Sequence, residues 1–253
     1  MAISVDTVYQ RVLAILNKEQ RGYLTPVEFN LLANQAQMSI FEQYFIDISQ
    51  FSRVPGNSTE YSDPLESLYE KIAFFEKSAT ALFDYSSEEF YLPDDTYKMG
   101  ELIFTPNGKN PAIAQIVRRK DYLMLTSSKL LKPTDENPIA YISVDNNNAY
   151  RTKIKVHGDD VGSSTSQQMT AGTNDELEVN YIKSPTPAVW GYSVVLGEAL
   201  YNQNISINFQ IHPTDETKLV MKVLELAGLV IQDIGTYQVA DKEDKQKIQQ
   251  EKS

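Results

Sequence analysis

The chain has 253 residues, 42% of them hydrophobic and 23% charged, which is enough apolar material to bury a sizeable core. Its 23 Lys plus Arg against 34 Asp plus Glu give a net charge of −11, which opposes broad contact with phosphate backbones. There is no cysteine, so disulfides and thiolate metal sites are excluded.

The start, Met1-Ala2-Ile3-Ser4-Val5-Asp6, has neither the basic nor the apolar region of a secretory signal. No run approaches the roughly 18 apolar residues that span a bilayer, so no membrane partner is expected. Val5, Val8, Val12 and Leu16 recur at helical spacing and predict a short amphipathic helix near Asp6–Lys18, broken at Arg21-Gly22-Tyr23. Thr25-Pro26-Val27-Glu28 is a helix start. Thr25 caps, Pro26 takes the first helical position and Glu28 reaches back to the Thr25 N–H. The helix it opens is expected to run to about Gln50 and carries two apolar stripes. One is Phe29, Leu32, Ala36 and Ile40; the other is Leu31, Met38, Phe41, Phe45 and Ile48. An outer helix needs one stripe. The second therefore packs inside the chain's own bundle or meets another subunit, which makes Leu31, Met38, Phe41 and Phe45 candidate interface residues.

Asp63-Pro64-Leu65-Glu66 repeats the capping pattern. Leu65, Leu68, Tyr69, Ile72, Phe75, Ala79 and Leu82 then predict one continuous helix, antiparallel to the one before it. A helical bundle domain over 1–85 follows from these elements. From 86 to 212 prolines recur between short β-rich runs: Glu101–Thr105, Ala112–Val117, Ile139–Val144, Tyr150–Val156, Leu177–Lys183, Val194–Leu196 and Ile205–Ile211. In the last, Ile205, Ile207, Phe209 and Ile211 alternate with polar residues as in a half-buried strand. Arg118–Leu131 reads two ways, one of them a short helix crossing the sheet. Val161–Asp175 is nearly all small and polar and predicts a mobile loop. Thr214, Asp215 and Glu216 open a C-terminal helix ended by Gly228, within a segment 213–240 expected to pack on the bundle. Residues 241–253 form a charged tail with Ile248 as its apolar residue, expected to dock on another chain. The fold class is α+β: an N-terminal helical bundle with a C-terminal helix, enclosing an antiparallel β-domain.

Catalytic chemistry finds little purchase. His157 precedes the turn Gly158-Asp159-Asp160, and His212 precedes Pro213 at a helix entrance, where capping is the ordinary role. No zincin, nucleophile-elbow or phosphate-loop pattern occurs. The acidic pairs Asp94-Asp95, Asp159-Asp160 and Asp215-Glu216 read as solvated turns rather than the opposed carboxylates of a glycosidase. Asp145-Asn146-Asn147-Asn148 lacks the glycine and glutamate of a calcium loop, with Val156 at the twelfth position. No catalytic residue, metal or cofactor is therefore expected. Tyr181, Trp190, Tyr192 and Tyr201 gather around Ser184-Pro185-Thr186-Pro187. They suit an interface or the core beside a hinge equally, and Trp190 and Tyr192 join Ile248 as candidate interface residues.

Several runs carry a resemblance. They are Val8-Tyr9-Gln10-Arg11, Asn17 through Tyr23, Thr25 through Asn30, Ala33 through Met38, Phe209 through Pro213, Ala227-Gly228 and Ile248 through Lys252. Both ends of the chain resemble virion structural proteins of crAss-like bacteriophages; the middle matches in type, at Leu130–Thr134 and Tyr181–Pro187. The resemblance implies a ring or adaptor protein between portal and tail, in the neck of a short-tailed phage. It implies a homo-oligomeric, twelvefold ring that touches the portal and neighbouring neck or tail proteins. Genomic DNA would pass through the ring without sequence-specific binding, and no catalytic residue is carried over. Three alternatives stay open: another virion part such as a head or tail-fibre attachment protein, a hydrolase of host glycans, and a monomeric regulatory module. A repeat-built fibre is disfavoured because no internal repeat is found.

Overall fold

The structure, a computed structural model, describes residues 3–18, 24–51, 64–84, 87, 89–106, 109–144, 151–157 and 176–230. Its architecture is mixed α+β, with five helices among the described residues and a large, mostly antiparallel sheet. The chain divides into two compact units, 1–74 with 185–253 and 75–184. These divisions fall at 74/75 and 184/185, not at the 85/86 and 212/213 read from the sequence.

The first unit is built on helices α1 (Val5–Lys18), α2 (Pro26–Phe51), α3 (Pro64–Ala73) and α5 (Glu216–Val230). The helix start at Thr25 is the expected reciprocal cap. Glu28 accepts from the Thr25 N–H at 2.9 Å, and the Glu28 N–H donates to Thr25 Oγ1 at 3.3 Å. These bonds hold the exposed Glu28 carboxyl below its ordinary range. Val5, Val8, Val12 and Leu16 of α1 are buried, as are Phe29, Leu32, Ala36 and Ile40 of α2. α2 packs on α3 and α5, and α1 packs on α5. Leu219, Val220, Val223, Leu224 and Ala227 are the buried hydrophobic residues of α5. Gly228 does not end α5, which continues to Val230.

α3 is shorter than its periodicity predicts. It stops at Ala73, and the chain turns into strand β1 (Glu76–Thr80). The apolar residues at 75, 79 and 82 fit a helical face by spacing. Residues 76–80 instead find a hydrogen-bonding partner in β8 (Glu176–Lys183), with Glu76 opposite Ile182 and Thr80 opposite Glu178. A ladder to a strand 100 residues away overrides local helical periodicity.

The second unit holds β1 and β2 (Leu82–Asp84), β3 (Glu89–Tyr91), β4 (Thr96–Thr105), β5 (Ala112–Ile116), β6 (Ile139–Val144), β7 (Thr152–His157) and β8. Their order is β1-β8-β4-β5-β6-β7-β3-β2. All pairs are antiparallel except β5 with β6. The two edge strands are joined by Ala81 alone. In a flat sheet seven strand spacings would hold those edges about 34 Å apart. One residue spans a few ångströms, so the sheet is rolled until its edges meet. The Ala81 N–H donates to Leu177 O at 2.8 Å, which carries the β1–β8 ladder one residue further, up to the start of β2. β4 carries irregularities between Thr96 and Lys98 and between Met99 and Leu102, which supply the bend that rolling needs. Phe90, Leu102, Phe104, Ile154, Leu177 and Val179 fill the interior. Arg119–Ser127 is a short helix, α4, which contacts β6.

The predicted strand Ile205–Ile211 is not one. A 3-10 turn occupies Gln203–Ile205, and Ile207 and Phe209 make single bridges to Val189 and Ile3. Phe209 and Ile211 are buried but Ile205 and Ile207 are exposed, so the alternation does not report a half-buried strand. The loop 161–175, the tail 241–253, Ile248, Asp63, Asp159-Asp160 and Asp145–Asn148 lie outside the described residues.

Candidate interaction surface

α2 carries a ladder of amide side chains. Asn30, Asn34 and Gln37 stand at i, i+4 and i+7, on one face of the helix. Asn34 donates to Ala188 O at 3.0 Å and accepts from the Ala188 N–H at 2.7 Å. Asn30 makes the same pair of bonds with Trp190, at 3.3 and 2.8 Å. Gln37 donates to Thr186 O at 2.8 Å and accepts from the Gln210 N–H at 3.2 Å. Residues 186, 188 and 190 share one side of an extended chain, so three helical amides serve the backbone groups that a neighbouring strand would otherwise serve.

The ladder fixes the root of a hairpin. The Trp190 Nε1–H donates to Asp6 Oδ1 at 2.9 Å, and its ring lies 4.5 Å from Tyr9, 5.8 Å from Tyr192 and 5.7 Å from Tyr201. At Gly191 any Cβ would come within 2.8 Å of the Ile205 backbone, so only glycine fits beside that turn. Strands β9 (Tyr192–Val195) and β10 (Glu198–Tyr201) then run out and back as a two-stranded sheet of their own. Leu196 (φ 53°) and Gly197 (φ 89°) make the two-residue turn, with both residues left-handed. Glycine adopts that conformation freely; leucine does so at a cost of about 1 kcal/mol. Leu196 nevertheless stands there with its side chain 102% exposed, and Val194, Val195 and Leu200 beside it are exposed as well. Leu196 thus combines a left-handed backbone with full exposure at the tip of an apolar hairpin.

The candidate interface residues divide. Leu31 is 68% exposed and Met38, Phe45 and Tyr192 are half-buried. Phe41 and Trp190 are core. Phe41 is fully buried with its ring edge-on to Phe45 at 5.1 Å, and Trp190 is 3% exposed at the hairpin root. Neither is free to meet a partner, because the second stripe of α2 is covered within its own unit at Phe41 and the tyrosines enclose the tryptophan. The aromatic group around 184–187 also splits. Tyr181 belongs to the rolled sheet, where burial, reinforced by its bond to Asp95 at 2.9 Å, pushes its phenol up to about 12. The exposed apolar surface lies at the hairpin tip, where the sequence signals a strand only at Val194–Leu196. Leu-Gly is not a common hairpin turn, and β10 behind it carries no strong strand signal.

Both histidines and the described acidic pairs are tied into structure. His212 accepts from the Thr214 N–H and its Nδ1 lies 2.8 Å from Thr214 Oγ1, a helix-entrance cap. His157 ends β7 with its ring edge-on to Tyr122. Asp215 accepts from the Tyr44 hydroxyl at 2.6 Å and pairs with Lys71 at 3.1 Å, while Glu216 pairs with Arg11. Asp94 pairs with Arg151, and buried Lys153 pairs with Asp84 at 3.1 Å. A groove of ≈ 520 Å³ along β1, β4 and β8 is bordered by Glu76, Glu101, Lys77 and Lys98, two charges of each sign, and so favours neither anion nor cation. Among the described residues no group of three histidine or acidic side chains is placed to hold a metal, and no helix is long and apolar enough to cross a membrane. No protein-family model matches the chain, and no curated protein is recognisably similar to it.

Proposed function

We propose that the chain is a ring-forming structural subunit of the neck of a short-tailed bacteriophage, between portal and tail, and that it forms part of a passive channel for the ejected DNA. The observation that carries the assembly reading is the apolar hairpin with its strained leucine tip, which is surface made for protein contact. The resemblance of both chain ends to virion structural proteins of crAss-like phages supplies the location. The subunit is made in the host cytoplasm and works in the virion, with the portal and adjoining neck or tail proteins as its neighbours. It performs no chemistry. The net charge of −11 suits a wall along which DNA slides without being held. Light scattering of the purified chain, alone and mixed with portal, tests this. Oligomers or a portal complex are expected. A chain that stays monomeric in both conditions contradicts the proposal.

A further inference from the structure

A second apolar surface lies in the other unit. Residues 118–132 read RRKDYLMLTSSKLLK, five cations against Asp121 alone, a net of +4 in a chain of −11, so the rest carries −15. Arg118, Arg119, Lys120, Lys129 and Lys132 are all exposed, and none pairs with a carboxylate among the described residues. α4 buries Tyr122 and turns Leu123 and Met124 outward. Ser128 Oγ then accepts from the Leu130 and Leu131 N–H groups, fixing a turn that displays Leu130, 92% exposed, and Leu131 between two lysines. Four exposed apolar side chains flanked along the chain by five exposed cations, none of them ion-paired among the described residues, form a contact surface with a stated chemistry: an apolar centre and an anionic rim on the partner.

The hairpin β9–β10 has the matching chemistry. From Ser184 to Thr217 there is no Lys or Arg, and the hairpin's sole charge is Glu198, beside the Leu196-Gly197 turn. An apolar tip with one carboxylate would set its leucine among Leu123, Met124, Leu130 and Leu131 and its charge toward the exposed cations beside them. Any other approach to α4 by a second copy also meets a chain that is acidic outside this patch. We propose that the hairpin of one copy docks on the α4 patch of the next, and that this heterologous contact is the subunit interface of the assembly. Donor and acceptor surfaces are different residues, so the contact repeats head to tail and closes into a ring where the rotation allows. This inference rests on the assembly reading above and names its interface.

Because the chain has no cysteine, the test is clean. Leu130→Cys and Leu196→Cys variants are made separately, both at fully exposed positions that leave folding intact. A short bismaleimide should join them in the mixture and leave each variant alone unjoined. Lys129→Glu with Lys132→Glu should weaken self-association about tenfold or more, and added salt should weaken the unsubstituted chain in the same direction. Cross-links within the Leu196→Cys variant alone would replace this interface with a symmetric one. Oligomers without a 130–196 cross-link would overturn the interface and leave the ring reading standing. A chain that is monomeric even at high concentration would overturn the interface, while the portal mixture separately decides the neck reading. Co-sedimentation with vesicles of equal parts phosphatidylcholine and phosphatidylglycerol, or retardation of duplex DNA, lost on the double lysine substitution, would assign the patch to lipid or nucleic acid instead.

Discussion

Replacing Leu196 by asparagine should move stability and assembly in opposite directions. The leucine side chain is fully exposed, so its removal forfeits no burial in the free subunit. Its backbone sits at φ 53°, where asparagine is tolerated and leucine costs about 1 kcal/mol. The free subunit should therefore gain about 0.5–1 kcal/mol, and its melting temperature should rise by about 1–4 °C. In the proposed interface the same leucine would be buried against a neighbour and would contribute about 1.5–3 kcal/mol. Association should then weaken about tenfold or more per contact. Calorimetric melting of dilute monomer and light scattering across a concentration series read the two effects separately. A lower melting temperature would mean that Leu196 supports its own unit. Unchanged association would mean that the tip contacts nothing.

Lys71→Met leaves the buried Asp215 carboxylate with the Tyr44 hydroxyl alone, and urea unfolding should show a loss of about 3 kcal/mol, largely recovered by adding Asp215→Asn. Asn34→Leu strands the N–H and C=O of Ala188; a loss of about 2–4 kcal/mol is expected, with faster proteolytic nicking between Thr186 and Trp190, and unchanged nicking would refute the ladder's role. Tyr181 should ionise in ultraviolet titration only at about 12, and Asp95→Asn should lower that value. Since its folded pKa lies above the unfolded value of 10.0, the neutral phenol is favoured by folding, and stability should fall as pH rises from 10.0 toward 12.

What was legible in the sequence is what local physics decides. The Thr25–Glu28 cap is a matter of four residues and formed as read. β8 alternates Leu177, Val179 and Tyr181 inward, and its period of two is visible without knowing its partners. What was not legible depends on distant partners. Phe75 and Ala79 continue a helical stripe on paper, yet the ladder of β1 to β8 claims the segment. Asn30, Asn34 and Gln37 show their spacing plainly, but their function needs the extended chain at 186–190, about 150 residues away. The same holds for the interface residues. Periodicity marks Phe41 and Trp190 as apolar, and only the fold shows that they are enclosed while Leu196 and Leu130 are left in solvent.

The most direct measurement of the proposed role is an averaged image of the intact phage particle in which the proposal places the chain, with the subunit located by fitting its two units into the density. A closed ring of copies between portal and tail is expected, with each β9–β10 hairpin seated on the α4 patch of its neighbour. Copies found on the head surface or on the tail fibres, or no copies in the particle at all, would contradict it.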